Sequence, residues 1–257
     1  MPDRDREKRP GFSLREFLDS QRALLLLVVL LVLFSSGAPN FLSARNLLTI
    51  LRAASLNGIV AIGFTMVFIL GQLDLSIGSV VMLCGMLAVG LQPQVGWAGS
   101  IVIAIAAGAG VGLVNGLLVV KARINSFIVT LGTMTIATGL MHLYSGGGSK
   151  AVADFRFADW LETPCAFFLP PIVIVTLVLV AAFGLFLTKT TVGRGFFVVG
   201  ANPETAWLAG LNRDVYLLAG FVISGVTAAT GGVLFAASLS SMTAAAVLGT
   251  RTLMTVL

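Results

Sequence analysis

An all-α fold, a polytopic transmembrane helical bundle, is the fold class this sequence predicts, and three observations predict it. Of 257 residues, 57% are apolar and only 11% charged, with a mean hydropathy of +1.01; soluble domains carry roughly 25% charged residues. Charge-free stretches long enough to cross ~30 Å of hydrocarbon recur along nearly the whole chain. The 29 glycines are the third observation, because small residues let membrane helices approach closely. Backbone groups inside such stretches must be satisfied internally. The runs are too long and continuous for barrel strands, so they read as helices.

In chain order, residues 1–22 form a leader that mixes acids (Asp3, Asp5, Glu7, Glu16, Asp19) with bases (Arg4, Arg6, Lys8, Arg9, Arg15, Arg22). Phe12–Leu18 within it has an amphipathic pattern that lies well on a membrane surface. The leader is too acidic for a secretion signal, and no A-x-A-like cleavage site follows. About seven spans come next, over Ala23–Pro39, Ala53–Leu70, Leu75–Leu91, Trp97–Val120, Ile124–Tyr144, Phe167–Leu187 and Val215–Leu239. With the N-terminus cytoplasmic, the inner connections add Lys121, Arg123, Lys189, Arg194 and Arg213 to the leader's bases. Only Arg45, Arg52, Lys150 and Arg156 fall outside, and Arg251 lies beyond the last span. That asymmetry is the positive-inside rule. It also explains the net charge of +5 and the pI of about 9.8. Bases scattered at helix ends, without interleaved aromatics, are no nucleic-acid footprint. Cys84 and Cys165 have no CxxC or Cys/His spacing and read as packing residues, and no metal site is expected.

Three regions invite a functional reading. Span four carries Ala104, Gly108, Gly112 and Gly116 at spacing four, and span seven has Gly225, Ala229 and Gly232 on a similar face. Both read as close helix contacts, with a substrate path along the groove as the alternative. Asp74 is the sole carboxylate between Ser20 and Ala153, and an acid so placed costs several kcal/mol unless partnered, capped or wet. It immediately precedes span three, so it can accept from the free N–H groups of that helix's first turn, and Ser76 can do likewise. A contact with a partner or a place in a gate is a second reading, and an ion-coupling carboxylate a third. In the inner connection, Gly200–Leu211 has the punctuation of one short helix. Asn202 caps it, Pro203 takes the first position, Glu204 faces the positive dipole end, and Gly210 closes it in the left-handed conformation. Ala206, Trp207, Leu208 and Ala209 give it an apolar surface. Such a helix either anchors Trp207 among lipid headgroups or docks as a knob on a cytoplasmic partner.

Three motifs carry a family resemblance. Gly71-Gln72-Leu73-Asp74-Leu75-Ser76-Ile77-Gly78-Ser79 resembles the G-G-x-D-L-S-x-G-S signature of membrane permease subunits of bacterial ABC sugar importers, the ribose/xylose/galactose permease type. Ile124–Met134 resembles that family's I-N-x-F-I-x-T-L-G-T-M, and Thr191–Leu211 its T-x-x-G-R … G-x-N-x-x-A-A-x-x-x-G-I segment. The likeness runs from about Asn46 to Ser241. It implies a permease subunit of the bacterial cytoplasmic (inner) membrane, moving a monosaccharide, pentose or hexose, by alternating access. In such importers the permease pairs in the membrane and rests on ABC ATPase subunits at its cytoplasmic face. A periplasmic or lipid-anchored sugar-binding protein meets the outer face. The resemblance assigns 1–22 to a cytoplasmic leader, 23–241 to the transmembrane permease domain, with the coupling segment at 188–214, and 242–257 to a divergent tail. ATPase coupling falls by matched position on Gly200, Asn202, Glu204, Ala206 and Gly210, with Trp207 added from the helix's apolar surface, and the signature on Gly71, Asp74, Ser76, Gly78 and Ser79.

The chain itself is not expected to be an enzyme or to bind a cofactor. ATP and Mg belong to the partner ATPase, and Gly146-Gly147-Gly148-Ser149-Lys150 lacks phosphate-loop spacing. Asn57, Asn115, Asn125 and Phe127 are candidate pathway residues, with helix-to-helix bonds and lipid contact as their plainer roles. Phe155 and Trp160 are of the type that stacks on sugars, and lone His142 reads as a packing or hydrogen-bonding group. Two departures from the family stand out. Gln72 occupies a position where the family usually has glycine. Beyond Ser241 the G-Y-E-L-D part of the expected region is missing, so the chain reads as a C-terminally shortened member against about ten spans in full-length relatives. The alternatives are a branched-chain amino-acid-type ABC permease, a truncated non-transporting fragment, and an ion-coupled carrier. The last is disfavoured by the lack of intramembrane charge pairs.

Overall fold

The computed structural model of the chain describes residues 22–38, 40–165 and 169–243. The amphipathic Phe12–Leu18 piece and the tail from residue 244 lie outside them. The chain divides into two compact units, residues 1–50 and 51–257.

In the first unit, helix α1 (Arg22–Gly37) exposes every side chain from Leu24 to Phe34, the surface of a helix solvated by lipid. A turn follows with Asn40 at positive φ. There the Asn46 amide donates to the Phe41 carbonyl at 2.7 Å, and the Asn46 N–H donates to Ser43 Oγ at 3.3 Å. Ser43 thereby serves the start of α2 (Ala44–Ile69), which continues into the second unit.

The second unit is built around α3 (Ile77–Gly90), α4 (Gln92–Val120), α5 (Ser126–Ser145) and α10 (Arg213–Leu239). Between α5 and α10 come α6 (Arg156–Glu162), α7 (Pro171–Lys189), α8 (Thr191–Ala201) and α9 (Pro203–Leu208). Five helices among the described residues, α2, α4, α5, α7 and α10, are long and apolar enough to cross a membrane. All seven predicted spans are helices, but those at Ala23–Pro39 and Leu75–Leu91 are the short ones. Fourteen residues of α3 reach only about 21 Å, less than the ~30 Å hydrocarbon core. The polar turn before α3 occupies depth that an uninterrupted span would have filled with helix.

The small-residue faces of α4 and α10 meet. A methyl group on Gly108 would overlap the Gly225 carbonyl, and one on Gly112 the Phe221 carbonyl. On the next face Gly232 of α10 sits against Val81 of α3, again with no room for a side chain. The α4 helix bends at Gly96, whose φ of 67° separates Gln92–Val95 from the long segment beginning at Trp97.

The connection between α5 and α6 contains a strand that the sequence pattern did not reveal. Residues Ser149–Ala151 (β1) pair antiparallel with Ser241–Thr243 (β2), in the register Lys150 with Met242. Met242 is buried against Met82, Met86 and Met141. Gln92 clamps the connection, donating to the Asp154 carbonyl at 2.8 Å and accepting from the Ala153 N–H at 2.6 Å. The Trp97 indole donates to the same Asp154 carbonyl at 2.7 Å, and Arg52 pairs with Glu162 at 3.4 Å. Arg156 pairs with Asp154 at 2.8 Å and holds its carboxyl below the usual carboxylate range, chiefly through their hydrogen bonds. The packing role expected of Cys165 is corrected here. Cys84 is fully buried, whereas Cys165 is exposed together with Thr163 and Pro164, which leave the bundle after α6.

Candidate functional site

The signature segment begins as a helix terminator. Gly71 has a φ of 70°, its N–H donates to the Phe68 carbonyl at 2.9 Å, and the Gln72 N–H donates to Val67 at 3.1 Å. This is the left-handed closure for which glycine is favoured. Gln72, where the family usually has glycine, is not among the positive-φ residues, so the replacement strains nothing.

From this turn Asp74 enters the bundle and is 5% exposed. One carboxylate oxygen accepts from the Ser76 N–H at 3.0 Å and the Ser76 hydroxyl at 2.6 Å. The other accepts from the Ser224 hydroxyl of α10 at 2.7 Å. Ser76 Oγ accepts in turn from the Asn115 amide of α4 at 3.0 Å, and Asn115 Oδ1 accepts from the Thr133 hydroxyl of α5 at 2.6 Å. Five side chains from the turn and three helices thus form one chain of bonds. Hydrogen bonds to a charged group contribute about 1.5–3 kcal/mol each, and the charge lies at the positive end of α3. Together they offset the burial of Asp74.

The capping roles expected of Asp74 and Ser76 need correction. Asp74 accepts from the Ser76 N–H ahead of Ile77 and from two hydroxyls, not from a first-turn N–H of α3. The Ser76 hydroxyl makes no bond to those N–H groups either, because Asp74 and Asn115 engage it. Ser79 is buried and donates to the Ser76 carbonyl at 2.7 Å, and Gly78 is buried beside it. The turn is also tied to α5, with the Leu73 N–H donating to Ser126 Oγ at 3.3 Å.

The four pathway candidates are not brought together. Asn115 belongs to the buried chain, and Asn57 lies exposed on α2. Asn125 caps α5 by accepting from the Phe127 N–H at 2.9 Å, while the Phe127 ring is exposed. His142 is exposed on α5, as are Phe155 just before α6 and Trp160 within it. Sequence reasoning missed Ser224 and Thr133. A hydroxyl inside an apolar span was the available signal, but many such hydroxyls bond only to their own helix, as Thr135 does to Leu131.

The second region is the connection between α7 and α10. Asn202 Oδ1 accepts from the Glu204 and Thr205 N–H groups at 2.9 and 3.2 Å, which starts α9 at Pro203. Gly210 at a φ of 73° ends the turn after it. Ala206 is the one buried residue of α9 and packs with Met66, Leu70 and Leu217. Its neighbours point away, leaving Trp207 77% and Leu208 78% exposed, with Pro203 and Glu204 beside them. Gly200 lets α8 approach the end of α2, since a methyl group there would overlap the Ile69 carbonyl. The helix α8 before it was not foreseen as a separate element; Thr190 Oγ1 caps it by accepting from Gly193 at 2.9 Å.

Residues 46–257 match the family model described as Branched-chain amino acid transport system / permease component. The ribose import permease protein RbsC of Haemophilus influenzae is 33% identical over 240 residues, covering 90% of this chain and 73% of its own length. The L-arabinose ABC transporter permease protein AraH of Azospirillum brasilense is 34% identical, covering 88% of this chain and 66% of its own. The autoinducer 2 import system permease protein LsrC of Yersinia enterocolitica is 33% identical, covering 87% and 63%. No solved structure matches. On the extent of the model match and on these relatives, the chain belongs to this family of membrane transport permeases.

Proposed function

We propose that this chain is the transmembrane permease subunit of an ABC importer that moves a monosaccharide, a pentose or hexose, across the cytoplasmic membrane. The observation that carries the proposal is α9. It is a capped six-residue helix, anchored by Ala206, that holds Trp207 and Leu208 out of the protein. Large exposed apolar side chains on a rigid support fit a groove on a partner. Glu204, Trp207 and Leu208 dock on the ATPase subunit, and Gly200, Asn202, Ala206 and Gly210 hold them in place. Docking transmits the nucleotide cycle through α8 and α10 to the bundle, which alternates access between its faces. This places α9 and the N-terminus in the cytoplasm, and the 145–166 connection outside, where a sugar-binding protein delivers its load to a permease dimer. The ribose and L-arabinose names of the relatives favour a monosaccharide over an amino acid.

Uptake tests the reading. Cells lacking their own pentose and hexose permeases would express this chain together with a sugar-binding protein and an ABC ATPase of the same importer type. ATP-dependent accumulation of one labelled monosaccharide is expected. Accumulation of leucine, isoleucine or valine instead, with no sugar uptake, would overturn it.

A further inference from the structure

The structure carries a second polar region that the transport reading does not use. A cleft of about 560 Å³ opens where α4 ends, α5 begins and α10 begins. Arg123, Arg213, Asp214, Asn125 and Gln72 supply its polar lining, and Val119, Val120, Ile124 and Leu217 its apolar wall. Two arginines face one acid. The two ion pairs among the described residues, Arg52–Glu162 and Arg156–Asp154, lie elsewhere, so neither cleft arginine is neutralised by a salt bridge to a described carboxylate. The starts of α5 and α10, capped by Asn125 and Asn212, face the C-terminal end of α4 across the cleft, so the two arginines carry its positive charge. Gln72 contributes a side-chain amide.

We propose that this cleft is a binding site for the phosphate of an anionic phospholipid headgroup. Depth and chemistry both select that ligand. The cleft lies at the ends of membrane-crossing helices, where headgroup phosphates sit. The arginine fork matches phosphate oxygens, and the apolar wall meets the first carbons of the acyl chains. Basic pockets between membrane helices bind anionic headgroups in this way. A soluble phosphate shares the charge but leaves the apolar wall uncovered. The site does not depend on which sugar is carried or on which face is cytoplasmic.

The test uses the purified full chain in detergent with short-chain phosphatidylglycerol as probe, read by native mass spectrometry. Short-chain phosphatidylcholine and inorganic phosphate serve as competitors. Arg123→Gln with Arg213→Gln should weaken phosphatidylglycerol binding roughly 10- to 30-fold, while Arg156→Gln, at the exposed pair with Asp154, leaves it unchanged. Gln72→Glu introduces a repelling charge without removing either arginine. It should lower binding several-fold in a protein that still elutes as one species, which covers misfolding of the double variant. Unchanged phosphatidylglycerol binding in a folded Gln72→Glu or double variant would overturn the site. Displacement by equimolar inorganic phosphate would overturn the lipid as its ligand. Loss of ATPase association with lipid binding intact would likewise overturn it, reassigning the arginines to a protein contact.

Discussion

Helices α3 and α7 are equally apolar in composition, yet they occupy opposite environments. Twelve of the fourteen residues of α3 are buried, against Pro171, Ile172, Val173 and Thr176 alone in the nineteen of α7. In water the more apolar helix goes inside, but lipid is as apolar as leucine, so hydrophobicity cannot sort these two. Size and polarity do. The α3 helix carries Gly78, Ser79, Gly85 and Ala88, follows a buried acid, and receives the glycine face of α10 at Gly232 and Gly85. The α7 helix offers Leu177, Val178, Val180 and Leu185 to the outside, each about half exposed, and its Gly184 has open space where a side chain would go.

The largest effect that separates the two environments comes from adding bulk. Gly85→Leu on α3 drives a side chain into the Gly232 backbone of α10, and overpacking there is expected to remove about 3 kcal/mol, the upper end for such changes. Folded yield should collapse. Gly184→Leu on α7 should leave yield and unfolding temperature unchanged. Equal damage from both, measured by fluorescence-detected size exclusion, would break the comparison.

Removing polar partners comes next. Asp74→Leu strands the Ser76 and Ser224 hydroxyls and the Ser76 N–H, each worth about 1–3 kcal/mol when unsatisfied, so a large fall in the unfolding midpoint is expected. Asp74→Asn keeps an oxygen for Ser76 and should lose less than half as much. Transport loss that is equal in both, with folding normal in both, would instead assign the charge itself to the mechanism.

The smallest effect belongs to the exposed Arg156–Asp154 pair. Arg156 holds Asp154 below its ordinary value, so the pair favours the folded state above the usual carboxylate range. That contribution disappears as pH falls through the lowered value. Asp154→Asn should flatten this acid dependence by lowering the midpoint slightly at neutral pH, as expected of an exposed pair, and should converge with the wild type in acid.

Local chemistry was legible in the sequence. The Asn202 cap, Pro203 at the first position and Gly210 after the last turn specify α9 within nine residues, and the fold class follows from the length of the charge-free runs. The glycine spacing on α4 and α10 was legible as packing, though not which helices would meet. What could not be read is what depends on distant partners. Three-residue strands such as Ser149–Ala151 and Ser241–Thr243 have no periodicity of their own; each exists because the other pairs with it. Ser224 looks like any hydroxyl in a span until α10 sets it beside Asp74. The exposed position of Cys165 likewise depends on where the chain leaves the bundle after α6, not on its apolar neighbours.

A buried centre holds the bundle together, whereas α9 is exposed and is the proposed contact with the ATPase. The most direct test of that contact is co-purification of the ATPase with the Glu204→Arg, Trp207→Ala variant. Trp207 is 77% exposed, so the unfolding midpoint should stay within the small range of surface changes while the ATPase is lost from the complex. A folded variant that retains its ATPase at the wild-type ratio would contradict the assignment of α9 as the coupling contact.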